Sequence, residues 1–198
     1  MGRKKKVIDP VVEVKKFVNL AVNKHGTNKN LYIGIDPGSK GAIAFLYGQY
    51  QCVIDIPVMQ VRRGKKNKTA FVLPTIVAVF KQIAPIFDKR NVFVALEEAQ
   101  VGIPGKGNSA YNGFRVGCGY GMWPLFFLSK GWALEEGIRP NIWKGKMGLK
   151  GQDKEASRFK ALNMYPHVAE SLKRKQDHDR AEALLLATYL KRIIHKGQ

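Results

Sequence analysis

The spacing of apolar positions changes along the chain and divides it into two kinds of segment. In residues 9 to 24, DPVVEVKKFVNLAVNK, Val11, Val14, Phe17, Val18 and Ala21 share one helical face. Asp9 suits the N-cap there and Pro10 the first helical position, and GTNKN breaks the helix. From Leu31 the runs shorten. LYIGID, GAIAFLYG and YQCVIDIPVM, separated by SKG and GQ turns, predict an antiparallel meander of three strands. The segment from Thr69 to Lys89 has helical length, with Pro74 and Pro85 restricting where a helix can run. NVFVALEEAQ predicts a fourth strand buried on both faces. The Gly-rich stretch VGIPGKGNSAYNG then leads to a helix around 113–130 and a short fifth strand near 132–139. Basic loops around 143–150 precede a helix over 153–164, and DHDRAEALLLATYLKRIIH predicts a long final helix with an apolar face.

This order predicts an α/β fold, a five-stranded mixed sheet flanked by helices, with an N-terminal appended helix. No repeat or linker is visible. Residues 1–30 are therefore expected to form a basic N-terminal amphipathic extension, and 31–198 a single domain.

Composition narrows the partners. The 198 residues are 45% hydrophobic, enough for a proper core and too apolar for global disorder. Lys and Arg number 34 against 15 Asp and Glu, a formal net charge of +19. Such a field attracts polyanions and is the electrostatic footprint of a nucleic-acid binder. Cys52 and Cys118 lack metal-ligand or disulfide-scaffold spacing, which suits a reducing compartment. No stretch approaches the roughly 20 apolar residues of a membrane span, and MGRKKKVIDP has no apolar core of a secretory signal. The expectation is an intracellular, DNA-associated protein.

Against this basic background the few acids carry information. Asp36 closes the first strand, Glu97 and Glu98 close the fourth, and Asp177, Asp179 and Glu182 open the last helix. First and fourth strands can be sheet neighbours with the last helix packed across their ends, so the three groups are expected to converge. Clustered carboxylates repel, and divalent cations with a preference for hard oxygen ligands, Mg²⁺ or Mn²⁺, relieve that repulsion. Two such ions stabilise the attacking and leaving oxygens of a phosphodiester.

Taken together, GIDPGSKGAIA, ALEE and DHDRAEALLLA resemble the ribonuclease H-like superfamily in its RuvC branch of Holliday-junction resolvases. The resemblance is greatest to the monokaryotic-chloroplast group of plastid and microbial junction resolvases. GCGYGMW (117–123), WKGKMGLKG (143–151) and RKQDHDRAEALL (174–185) match that group's pattern, and the likeness covers about residues 31 to 190. It implies a ribonuclease H-like fold, two Mg²⁺ (or Mn²⁺) per active site, and Asp36, Glu97, Asp177 and Glu182 as the catalytic, metal-binding carboxylates. Glu98 stands where the family has Gln, and Asp179 where the closer group has Gly, so these two remain alternatives to Glu97 and Asp177. His178 is either a helix cap or a participant in the chemistry. The resemblance further implies a homodimer that makes paired symmetric nicks in four-way DNA junctions, leaving 5′-phosphate and 3′-hydroxyl ends.

The cationic stretches supply candidate DNA contacts. Arg62, Arg63, Lys65, Lys66 and Lys68 form one patch, and Lys144, Lys146, Lys150 and Lys154 another. In PGKGNSAYNGFR, Lys106 and Arg115 supply charge, while Tyr111 or Phe114 offers a ring for an unpaired base. Two rivals remain: a nuclease of the same carboxylate geometry acting on RNA or an RNA–DNA hybrid, and a junction-binding protein without activity.

Overall fold

The computed structural model describes residues 9–64, 66–99 and 110–196. Helix α1 (Pro10–His25) starts where its cap predicts: the Asp9 carboxylate accepts from the Val11 N–H at 2.8 Å. Three strands follow, β1 (Leu31–Ile35), β2 (Ala42–Tyr47) and β3 (Tyr50–Asp55), paired antiparallel as a meander. β4 (Val58–Arg63) and β5 (Lys66–Phe71) then pair only with each other, and α2 (Leu73–Lys81) follows. β6 (Val92–Glu97), α3 (Ala110–Ser129) and β7 (Ala133–Ile138) come next. The chain ends with α4 (Pro140–Lys146), α5 (Lys154–Met164) and α6 (His178–Lys196). The main sheet has the order β3-β2-β1-β6-β7, with β1, β6 and β7 mutually parallel. It is the mixed five-stranded sheet expected.

Three segments differ from the sequence reading. YQCVIDIPVM does not run through as one strand, because β3 stops at Asp55 and Pro57 separates it from β4. Thr69–Phe71 is not helical: it pairs with β4 across the Gly64 turn (φ 63°), and the helix waits until Leu73, with Pro74 in its first turn. The basic stretch after Arg139 contains a helical turn, α4, started by Pro140 in the N-terminal position that proline favours.

Period-2 alternation of the strands builds two cores. Leu31, Ile33 and Ile35 of β1, Ile43, Phe45 and Tyr47 of β2, and Val92, Val94 and Leu96 of β6 face α1, α2 and α3. That layer also takes the buried face of α1 (Val14, Phe17, Val18, Ala21). Tyr32, Ala42, Ala44, Leu46 and Ala95 face the other way, toward α4, α5 and α6.

On that second face the sheet and α6 approach very closely. A Cβ added at Gly34 of β1 would lie 2.1 Å from the Ala183 carbonyl oxygen and 2.7 Å from the Ala187 nitrogen. Glycine is used here because two backbones nearly touch. The contact fixes α6 over the end of β1, and so sets the position of everything in its first turns.

Candidate active site

The site starts from strand register. Ile35 of β1 pairs with Leu96 of β6 in parallel alignment, so Asp36 and Glu97 leave the sheet side by side. Alternation then assigns both side chains to the face that carries α6. Asp36 is held by a tight connection: its N–H donates to the Ala42 carbonyl at 3.1 Å, and its Oδ1 accepts from the Gly38 N–H at 3.2 Å. A Cβ at Gly41 would lie 2.1 Å from the Asp36 carbonyl oxygen, so this turn leaves no space for a side chain there.

From above, α6 contributes Asp179 and Glu182, three residues apart and hence on one helical face. Asp36, Glu97, Glu98, Asp179 and Glu182 line one open cleft of about 1020 Å³, with Lys144 and Lys154 among them and Phe114 and Arg115 of α3 on its far wall. Glu182 accepts from the Lys144 ammonium at 2.7 Å and from the Ser157 hydroxyl at 3.1 Å. Glu97 Oε1 accepts from the Trp143 indole N–H at 3.0 Å. Acids from all three elements thus line one cleft.

Burial first, and mutual repulsion second, disfavour the ionised forms of these acids. Burial above all, with Asp179 and Glu182 adding repulsion, pushes Asp36 up to about 6, despite the Gly38 bond. Glu97 is pushed up to about 7 by burial, with Asp36 and Glu182 adding to it and the Trp143 bond opposing. Asp179 is also raised, by burial first.

Asp177 behaves in the opposite way and belongs elsewhere. It closes a short 3-10 turn before α6, and its carboxylate accepts from the Arg174 backbone N–H (2.8 Å) and from the Arg174 guanidinium (Nε 2.9 Å). Burial alone would raise it, yet the Arg174 bonds hold it below the usual carboxylate range. Asp177 is not among the acids lining the cleft, whereas Asp179, the alternative to it, is. Glu98 does line the cleft but is exposed and pairs with Arg139 at 3.5 Å. His178 donates through Nδ1 to the Lys175 carbonyl at 3.2 Å, while its Nε2 lies 3.1 Å from Asp179 Oδ1 and from Lys154 Nζ.

Of the expected DNA contacts, Arg62 is exposed on β4, and Lys144 and Lys154 lie in the acidic cleft. Arg115 donates to the Thr69 carbonyl at 2.6 Å, tying α3 to β5. Lys65 and Lys106 lie outside the described residues, as do the side chains of Arg63, Lys66 and Tyr111. Sequence reasoning missed Trp143 and Ser157 as supports of the site. Trp143 lay in a stretch read as loop; a lone serine in the middle of a helix gave no signal.

Among the described residues no three His, Cys, Asp or Glu side chains stand close enough together to hold a metal ion as they are. The five acids line the cleft at wider spacing, with lysine ammonium groups supplying part of the counter-charge.

No protein-family model matches the chain, and no curated protein matches it. A solved structure of RuvC from Thermus thermophilus is similar over 82% of this chain and 96% of that one, at 15% identity and a TM-score of 0.45. A likeness this distant assigns neither family nor activity.

Proposed function

We propose that this protein is a metal-dependent endonuclease of ribonuclease H-like fold that resolves four-way DNA junctions, working as a homodimer to make paired symmetric nicks. One observation carries the reading: in a chain of net charge +19, buried acids from β1, β6 and α6 meet in a single open cleft. A basic protein gains little in stability from carboxylates gathered in one partly buried cleft, whereas a phosphodiester-cleaving site uses them. The mixed sheet, with three antiparallel strands followed by parallel β6 and β7, supports the fold assignment.

The residues that fit the cation-binding role are Asp36, Glu97, Asp179 and Glu182. All are hard oxygen donors, and Asp36 and Glu97, raised first by burial and then by neighbouring acids, are carboxylates whose ionised forms Mg²⁺ or Mn²⁺ would stabilise. Bound there, a pair of such ions would supply Lewis-acid stabilisation to the attacking and leaving oxygens of the phosphodiester. The chain's own part is positional. β1 and β6 fix Asp36 and Glu97 on a rigid sheet end, and α6 brings Asp179 and Glu182 over them. Lys144 and Lys154 neutralise the cleft and offer ammonium groups to the flanking phosphates. The hairpin β4–β5 carries the cationic patch toward a second duplex arm. The exposed apolar stripe of α3, with Leu125 74% and Leu128 61% exposed, supports pairing of two copies. No helix among the described residues is long and apolar enough to cross a membrane.

The test is incubation with labelled four-way junction, linear duplex, RNA hairpin and RNA–DNA hybrid, in Mg²⁺ or in EDTA. Symmetric nicks confined to the junction, with 5′-phosphate and 3′-hydroxyl ends, are expected. Preferred cutting of RNA or hybrid points to the rival nuclease, and junction binding without cutting to a passive binder. Asp36→Asn and Asp179→Asn should each abolish cutting yet keep junction binding in EDTA, whereas Asp177→Asn should lose stability and retain cutting.

A further inference from the structure

Two consecutive residues of α4 reach two different acids of the cleft. Lys144 meets Glu182, and Trp143 meets Glu97. The two contacts differ in kind. Lys144 is a flexible, partly exposed ammonium, which a competing cation can displace. Trp143 is fully buried, its ring packed in the apolar layer that holds Met147, Leu149 and Ile138, so its N–H has a fixed direction. Glu97 is itself buried, and the indole takes Oε1 while leaving Oε2.

A neutral donor is well suited to this task. It satisfies one oxygen of a buried carboxylate without cancelling its charge, so the other oxygen stays available to a cation. Trp123 provides an internal contrast: it is equally buried, in the layer on the opposite face, and its Nε1 has no hydrogen-bond partner among the described residues. The indole N–H of Trp143 is thus not a by-product of packing a large ring; it is directed at one carboxylate of the cleft.

We infer that Trp143 is a positioning residue for divalent-cation binding, its indole N–H fixing Glu97 with one oxygen held by the protein and one presented to the ion. This rests on the cation-binding reading of the cleft given above. Ligands of metal sites commonly depend on such supporting donors, whose loss weakens binding about 10- to 100-fold.

The experiment measures Mn²⁺ binding to the full-length protein by electron paramagnetic resonance, without DNA, for wild type, Trp143→Phe and Trp123→Phe. Phenylalanine keeps a buried ring while removing the donor, and Trp123→Phe controls for the volume lost with the indole. Trp143→Phe should bind Mn²⁺ about 10-fold more weakly or worse, as supporting donors predict, and Trp123→Phe should bind as wild type does. In wild type titrated with Mg²⁺, the Trp143 indole ¹H–¹⁵N resonance should move with the binding isotherm, and those of Trp123 and Trp132 should stay in place. This second measurement decides the matter if Trp143→Phe fails to fold. Unchanged Mn²⁺ affinity in folded Trp143→Phe, or a Trp143 resonance that stays still through saturation, overturns the positioning role and leaves the nuclease reading intact. A wild type that binds no Mn²⁺ overturns both.

Discussion

The two faces of the sheet are packed on different principles. Toward α1, α2 and α3 the layer is built from large rings: Phe80 lies 5.1 Å from Phe127 and 5.9 Å from Trp132, centroid to centroid, and Phe17 and Phe45 extend the group. Toward α6 the contact is made by Gly34, Ala42, Ala44, Ala183 and Ala187, so helix and sheet nearly touch. Rings give bulk and buried area; small residues give proximity. The acids converge on the thin face, where a helix can be held at fixed height over the strand ends. Stability and site geometry are therefore assigned largely to opposite sides of one sheet.

That division can be broken by substitution. The largest stability loss is expected from Phe80→Ala, about 3–5 kcal/mol by analogy with other buried aromatic truncations, measured by urea denaturation. The protein that remains folded should keep its Mn²⁺ affinity. Gly34→Ala should cost less, about 1–3 kcal/mol as for other overpacked cores, but should disable the cleft, because α6 must shift to admit the methyl group. Loss of cutting and of Mn²⁺ binding at a temperature where Gly34→Ala is folded is the outcome to look for. If Gly34→Ala stays active while Phe80→Ala loses its cation affinity, the division of labour is wrong.

The smallest effect is a pH dependence. Asp36 and Glu97 have folded-state values near 6 and 7, above their ordinary 3.8 and 4.5. Folding then favours their protonated forms, so the stability they contribute is complete below about pH 4 and is lost as pH rises through 6 to 7. In EDTA, wild type should lose a few °C of melting temperature relative to Asp36→Asn between pH 5 and 8, the size a small free-energy change gives in a chain of this length. Mg²⁺ should restore it by binding the ionised carboxylates. A difference that stays flat with pH would mean that Asp36 is better solvated than its burial implies.

Much of this arrangement was legible in the sequence. Alternation located the strands, Asp9-Pro10 located the start of α1, and the scarcity of acids made Asp36, Glu97 and Glu182 stand out. The choice between Asp177 and Asp179 was not legible from their position at a helix start, since either could face the cleft. Arg174, three residues before Asp177, engages that carboxylate away from the cleft, and the separation is short enough to have served as a clue. The charge run VRRGKKNK left a hairpin and a loop equally open, and the β4–β5 pairing across Gly64 makes it a hairpin. α4 was hidden by its shortness and its lysines. The Trp143–Glu97 bond joins residues 46 positions apart, and no local pattern encodes it.

The β4–β5 ribbon closes its hydrogen-bond ladder upon itself, apart from the five-stranded sheet. At its root the Val72 N–H donates to the Pro57 carbonyl (2.9 Å); along its side Arg115 grips Thr69, and the Phe71 ring lies against Gly119 of α3. Attached in this way, the ribbon is joined to the rest of the fold at Pro57 and Val72 and braced by α3 along one side. A shift of the ribbon would cost a few side contacts, and no rung of the central sheet would have to be undone.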